Sequence, residues 1–222
     1  MIAELPPGSI LILGAFLIPL LSGRPQSLYL LLLPVLSFIQ LLVLPADLQW
    51  RLSVLGYELM PVRLDRLSLV FGYIFHIATL ISVIYSLHVR DTVQQATGLI
   101  YAGSAIGAVF AGDLITLFVY WELTALSSVF LIWSRRTARA RQAGLRYLVI
   151  QIVSALLLVL GTLVHLQGTG SLAFGYLGLD SPGGVLIFLA FGIKCAFPLL
   201  HNWLQDAYPE ATVTGTVFLS VF

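Results

Sequence analysis

The stretch GDLITLFVYWELTALSSVFLI, residues 112–132, is an apolar run that has Asp113 at its start and a second charge, Glu122, near its middle. A transmembrane helix needs about 20 mainly apolar residues, and this stretch supplies them. The whole chain is similar: 59% of its 222 residues are hydrophobic and only 9% are charged. Soluble domains have about 25% charged residues. Because the apolar runs are continuous rather than alternating, the sequence predicts an all-α membrane protein.

Working outward from this stretch, seven to eight transmembrane helices are expected. The segment 46–66 mixes aromatic, charged and alternating apolar residues, which indicates a hairpin or a pair of interfacial strands between two spans. The apolar ending TGTVFLSVF suggests that the chain is a fragment, or that its remaining part is a separate polypeptide. The predicted spans are residues 8–22, 27–45, 67–87, 96–112, 114–133, 146–166 and 184–200, with an eighth from about 211.

The distribution of basic residues predicts the orientation, because short cytoplasmic loops are rich in Lys and Arg. The loop predicted after the fifth span, SRRTARARQAGLR at residues 134–146, is the richest in basic residues, so it is placed in the cytoplasm. Counting spans back from it puts the N-terminus and segment 46–66 outside. The basic residues of the cytoplasmic segment are Arg135, Arg136, Arg139, Arg141 and Arg146.

Several functional classes are disfavoured by composition. The formal net charge is +1, which gives no electrostatic reason to expect nucleic acid as a partner. Cys195 is the single cysteine, and the four histidines are scattered without metal-ligand spacing. We therefore expect no cofactor and no metal.

Two charges lie well inside predicted spans: Glu122 and Lys194, the only lysine of the chain. Each mid-membrane charge costs about 2.5–3.5 kcal/mol on insertion scales, so the two are expected to face each other or to share a hydrated cavity. Lysine can release and regain a proton when buried, whereas arginine is the better permanent ion-pair partner. The pair therefore predicts a proton relay. The alternatives are a helix-packing hydrogen bond for Glu122 and snorkelling to the interface for Lys194.

Nearby residues extend this hypothesis. Pro198 predicts a break in the seventh span, and broken helices at membrane depth line cavities or lie buried in protein. His201 could extend a polar path from the break. His76 is either a proton-relay member or, as we favour, a hydrogen-bond link between helices. Asp113 and Asp206, at span boundaries, are expected to be solvated carboxylates or helix caps.

These motifs resemble one known family. The run 112–132, with Trp121-Glu122-Leu123, resembles the fifth span of the proton-conducting, antiporter-like membrane subunits. These include the A and D subunits of the multisubunit Mrp sodium/proton antiporters, of which the chain resembles the D type, and the large membrane subunits of respiratory complex I. The segment IKCAFPLLHNWLQDAYPEA resembles the broken seventh span, through the pattern K-x6-H-x-W-L-x-D-A that begins at Lys194. The resemblance extends from about residue 96 to the end. Pro198, Gln205 and Tyr208 depart from the family pattern.

The resemblance implies two parts: three N-terminal helices in residues 1–95, with the outer loop at 46–66, and an incomplete first five-helix repeat in residues 96–222. Family members have about 14 spans with two inverted repeats, so the chain resembles an N-terminal half. The implied function is proton translocation in a multisubunit monovalent cation/proton antiporter, with protons relayed by Glu122 and Lys194 and without enzymatic activity of its own.

Two further functions remain open alongside this one: a proton-pumping subunit of NADH:quinone oxidoreductase, and a truncated chain with a structural or assembly role. Under the leading hypothesis the expected partners are other subunits, protons, a monovalent cation and lipid. The expected location is the bacterial inner membrane.

Overall fold

The computed structural model describes residues 5–45 and 47–222, and its described part is built almost entirely of helices. Two short 3-10 turns follow α1 and α8, at Ile18–Leu20 and Tyr208–Glu210. The α-helices are α1 (Ser9–Ala15), α2 (Gly23–Val43), α3 (Arg66–Ser86), α4 (Thr92–Phe110), α5 (Leu114–Trp133), α6 (Ala138–Thr169), α7 (Pro182–Lys194), α8 (Asn202–Ala207) and α9 (Val213–Val221).

The predicted all-α membrane class is confirmed. By length and composition, α2, α3, α5 and α6 can each cross a membrane. The predicted runs 8–22 and 184–200 contain shorter apolar helices, Ser9–Leu20 and Pro182–Lys194. The total of seven to eight spans therefore stays a prediction.

The predicted hairpin between the second and third spans is confirmed for all but residue 46, which lies outside the described residues. Strands β1 (Gln49–Val54) and β2 (Tyr57–Arg63) pair antiparallel. Leu55 and Gly56 turn the chain with φ values of 51° and 84°, as a tight hairpin turn requires. The N–H of Gly112 donates to the Met60 carbonyl at 2.9 Å, which ties β2 to the start of α5.

The sixth helix begins earlier than the sequence predicted. The sequence placed the start of this span at residue 146, but α6 begins at Ala138 and is 32 residues long. The Thr137 hydroxyl accepts a hydrogen bond from the Ala140 N–H at 3.0 Å and caps the helix. Alanine and arginine are strong helix formers, so the arginine-rich segment extends the helix into the polar region instead of forming a loop. The cytoplasmic placement of this segment stays a prediction.

The predicted break in the seventh span is confirmed, and it occurs at Lys194, before Pro198. Ala196 follows with a left-handed φ of 53°. The N–H of Phe197 donates to the Gly192 carbonyl at 2.9 Å and the N–H of Ala196 to the Ile193 carbonyl at 3.1 Å. This pair of bonds is the Schellman C-terminal motif, with alanine at the position that glycine usually occupies.

Small residues let α6 and α7 pack closely. A Cβ added to Gly161 on α6 would lie 2.9 Å from the Gly183 carbonyl oxygen and 2.9 Å from the Ile187 nitrogen. Both obstacles are backbone atoms, so a larger side chain can be accommodated only if the helices separate.

We expect Gly161→Ala to destabilise the protein by about 1–3 kcal/mol, because overpacked interiors must shift backbone. Gly168, on the same helix, has no atom within 4 Å of its virtual Cβ and is the matched control. Gly168→Ala should be neutral, or stabilising by up to ~1 kcal/mol, since alanine is the better helix former. Unfolding midpoints in detergent check both. Equal effects of the two substitutions would contradict the packing explanation.

Candidate proton-relay site

The break in α7 places Lys194 against the middle of α5. Its Nζ lies 3.5 Å from the Trp121 carbonyl oxygen and 5.1 Å from the centroid of the Trp121 ring. The other partner of this ring is Phe191, one turn earlier on α7, at 4.8 Å in an edge-on arrangement. A cation over an indole face is attracted by the ring quadrupole. The amine of Lys194 is therefore directed into the protein and towards α5.

Glu122 directly follows Trp121, the residue whose carbonyl and ring the Lys194 amine approaches. No ion pair within 4 Å joins Glu122 and Lys194 among the described residues, and Oε1 of Glu122 is buried without a hydrogen-bond partner there. The helix-packing hydrogen bond considered for Glu122 is therefore not seen at this oxygen. The Glu122 carboxyl group and the Lys194 amine are therefore not in direct contact, and a proton would need an intermediate group to pass from one to the other.

A tryptophan and a tyrosine side chain connect the end of α7 to the neighbouring helices. Trp203 on α8 donates from Nε1 to the Ile193 carbonyl at 2.9 Å. Its ring packs on Tyr147, whose hydroxyl is 2.8 Å from that of Ser128 on α5. Helices α5, α6 and α8 are thereby fixed around the end of α7.

Two histidines of the predicted polar path occupy different places. His201 immediately precedes α8 and is partly buried. His76 is buried in α3, where Nδ1 lies 2.7 Å from the Gly72 carbonyl oxygen and Nε2 lies 2.9 Å from the Ser37 hydroxyl on α2. Because a carbonyl only accepts, Nδ1 carries a proton, and Nε2 shares a second hydrogen bond with the Ser37 hydroxyl. His76 therefore links α2 to α3, as the favoured interpretation stated.

Asp113 is a helix cap, one of the two expected arrangements, but it is buried instead of solvated. It caps α5 by accepting from the backbone N–H groups of Ile115 and Thr116 at 2.9 and 2.8 Å. It also accepts from the Met60 N–H at 2.7 Å and the Thr116 hydroxyl at 2.6 Å. The carboxylate thus joins α5 to the hairpin.

Asp206 is a partly exposed carboxylate, in keeping with one of the two expectations, and it does not cap a helix. It forms a two-pronged ion pair with Arg146, with nitrogen–oxygen distances of 2.6 and 2.7 Å. The Arg146 side chain is 56% exposed and that of Asp206 is 40% exposed. Next to this pair, Arg139 and Glu210 form another at 3.0 Å. These contacts hold the segment after the break against the polar start of α6.

The hydrogen-bonded Arg146 guanidinium lowers the pKa of Asp206 below its ordinary value of 3.8. Such a group contributes stability above its unfolded pKa, and the contribution disappears as pH falls through the lowered folded pKa. We therefore expect wild type to unfold at a higher temperature than Asp206→Asn at neutral pH, with the difference disappearing in acid below pH ~4. Melting curves across pH check this, and a pH-independent difference would contradict it.

One buried polar residue of α6 was missed by sequence analysis. Gln151 on α6 is 0% exposed, and neither its Nε2 nor its Oε1 has a hydrogen-bond partner among the described residues. A neutral amide attracts less notice than a charge in an apolar run. Its isolation in the run LVIQIV was the available signal. Within residues 5–45 and 47–222, no group of three or more His, Cys, Asp or Glu residues could hold a metal ion.

A family model and the similar proteins all indicate the same family of membrane subunits. The family described as "NADH:quinone oxidoreductase/Mrp antiporter, TM" matches residues 111–222, half of the chain. NADH-quinone oxidoreductase subunit N of Deinococcus radiodurans is 27% identical over 180 residues, which cover 72% of this chain and 36% of that protein. The D component of the Na(+)/H(+) antiporter of Bacillus subtilis is 34% identical over 121 residues, which cover 49% of this chain and 24% of that protein.

The fold is also similar to that of a solved membrane complex. A chain of the Mrp complex from a Dietzia species superposes with a TM-score of 0.81 at 19% identity, covering 96% of this chain and 44% of that one. The chain therefore spans less than half the length of each of these relatives.

Proposed function

We propose that this chain, which belongs to the NADH:quinone oxidoreductase/Mrp antiporter family of membrane subunits, translocates protons within a multisubunit monovalent cation/proton antiporter. Glu122 and Lys194 relay the protons, and the other subunits of the complex are the partners. One observation carries the proposal: the break in α7 places the Lys194 amine against α5, 3.5 Å from the Trp121 carbonyl oxygen and next to Glu122.

The surroundings of Lys194 favour its protonated form in one state and can release the proton in another. The Trp121 carbonyl, the Trp121 ring and the negative charge of Glu122 all stabilise an ammonium group. Burial favours the neutral amine. A movement that separates Glu122 from Lys194, or a cation that binds nearby, shifts this balance and releases the proton.

A second candidate is a proton-pumping membrane subunit of an NADH:quinone oxidoreductase. The similarity to subunit N of the Deinococcus radiodurans enzyme, over 72% of the chain, favours it. The same relay would serve both functions, and only the source of energy differs: a cation gradient in one complex and quinone reduction in the other.

The test is to reconstitute the complete complex into vesicles and to measure internal pH. We expect an imposed sodium or potassium gradient to drive proton movement without NADH or quinone. Proton movement that requires NADH oxidation, together with co-purifying redox subunits, would establish the second candidate. Absence of proton movement under both conditions would leave the structural or assembly role.

A further inference from the structure

The amide of Gln151 lies inside the chain's own helices with no protein partner. The residue is 0% exposed, so lipid cannot reach it. Both of its polar atoms lack a hydrogen bond within the described part of the chain. A buried polar group without a partner is costly, and such groups are normally bonded to protein or to internal water. The amide therefore indicates a bound molecule that is small, polar and able both to donate and to accept.

The contact between α5 and α6 shows which residue of α5 lies at the same height as Gln151. Ser128 and Tyr147 meet through their hydroxyls at 2.8 Å. The two helices run antiparallel, since Trp121 and Ala155 belong to one buried cluster further along. One turn along each helix from the hydroxyl pair therefore brings Thr124 on α5 level with Gln151 on α6.

The contact between α6 and α7 shows which residue of α7 lies at the same height as Gln151. The Ser154 hydroxyl donates to the Ala190 carbonyl at 2.9 Å. These helices are also antiparallel, so one turn from this contact brings Gln151 level with Lys194. The Trp121 carbonyl oxygen shows that Thr124 and Lys194 lie at the same height along the helices. The Thr124 hydroxyl is 2.7 Å from this oxygen, and the Lys194 amine is 3.5 Å from it.

Two other buried polar atoms near this level lack partners among the described residues. They are Nε1 of Trp121 and Oε1 of Glu122. An internal water typically makes about three hydrogen bonds to otherwise unsatisfied groups. The unpaired atoms of Gln151, Trp121 and Glu122 supply such a set.

We propose that Gln151 is a positioning residue of the proton relay, whose amide holds an internal water between the Glu122 carboxyl and the Lys194 amine. This inference rests on the proposed proton-translocating function. The water takes one proton from the carboxyl group as it gives one to the amine, so that it is regenerated, and the neutral pair becomes carboxylate and ammonium. The water supplies the intermediate group that the separated pair needs.

The test replaces the amide without changing the length of the side chain. Gln151→Met is unbranched and apolar, whereas Gln151→Asn keeps the amide. In vesicles containing the complete complex, we expect Gln151→Met to slow proton movement by about tenfold, because a hydrogen bond to the transferring group is lost. We expect Gln151→Asn to stay within about threefold of wild type, since its amide can still bind the water. Assembly and melting temperature, measured in parallel, show that each variant is folded.

Two outcomes would overturn the proposal: a wild-type rate for folded Gln151→Met, or equal slowing by Met and Asn. Glu122→Gln and Lys194→Met are run in the same vesicles to separate this inference from the function itself. If these two variants are slow and Gln151→Met is not, only the role of Gln151 fails. If both keep the wild-type rate, the proposed function fails.

Discussion

Replacing Lys194 by methionine is expected to lower cation-driven proton movement by on the order of 100-fold or more, since positioned proton-transfer groups contribute about 10²–10⁴-fold. Methionine fills a similar volume but carries no proton. The remaining contacts near the site, such as the Trp121–Phe191 ring pair, are preserved in this variant. Internal pH in vesicles with the complete complex gives the measurement.

Lys194→Arg separates a proton carrier from a structural charge. Arginine keeps the positive charge beside Trp121 and Glu122 but does not deprotonate in proteins. We expect Lys194→Arg to assemble and to be nearly as slow as Lys194→Met. A wild-type rate in Lys194→Arg would show that the charge matters and the proton does not.

Arg141→Met is the matched control for removal of a positive charge. Arg141 is exposed on α6 and forms no ion pair among the described residues. It is also far along the helix from Gln151, so we expect the rate to be unchanged. Loss of activity in this variant as well would point to a general effect of net charge or assembly.

The sequence identified the two charged groups because a charge inside an apolar span is conspicuous and costly. Pro198 also indicated the break, although the helix ends at Lys194 itself. The reason is local: Ala196 adopts the left-handed conformation and closes α7 through bonds to Gly192 and Ile193. A proline shows that a helix must end, but not at which earlier residue it ends.

Long-range pairing could not be predicted from a single sequence. Arg146 and Asp206 are 60 positions apart, and each looks like an ordinary solvated charge when considered alone. The partly buried hydrogen bond from the Thr212 hydroxyl to the Gln94 side-chain oxygen spans 118 positions, at 2.8 Å, and connects α4 to the start of α9. Such contacts depend on how helices are arranged around one another. Hydropathy alone does not contain that information.

The start of α6 was predicted wrongly for a local reason: arginine-rich segments lie outside the bilayer, but they need not be loops. Clustered arginines do mark a polar region outside the bilayer. They do not mark a loop, because arginine favours helices and Thr137 supplies a cap. The capping residue before an alanine- and arginine-rich run was the signal that would have placed the helix start correctly.

Asp113 illustrates how burial turns an ordinary cap into a structural connection. Its side chain is 1% exposed, and it accepts hydrogen bonds from the N–H groups of Ile115, Thr116 and Met60 and from the Thr116 hydroxyl. Met60 lies on β2, 53 positions earlier. Removing the carboxylate would leave buried donors on both elements without an acceptor.

We therefore expect Asp113→Ala to destabilise the protein by about 3–4 kcal/mol, which combines a lost cap with lost hydrogen bonds to a charged group. Asp91→Ala is the matched control, because Asp91 also caps a helix, α4, but accepts only one cap bond, from the Gln94 N–H at 3.1 Å. Its ion-pair partner, Arg136, has a side chain that is 75% exposed, so that pair adds little. The Asp91→Ala variant should lose about 1 kcal/mol of stability.

Chemical unfolding in detergent, followed by tryptophan fluorescence, measures the stability of both variants. Similar losses in the two variants would mean that the link from Asp113 to the hairpin contributes nothing beyond the cap, since the cap is all that the two sites share.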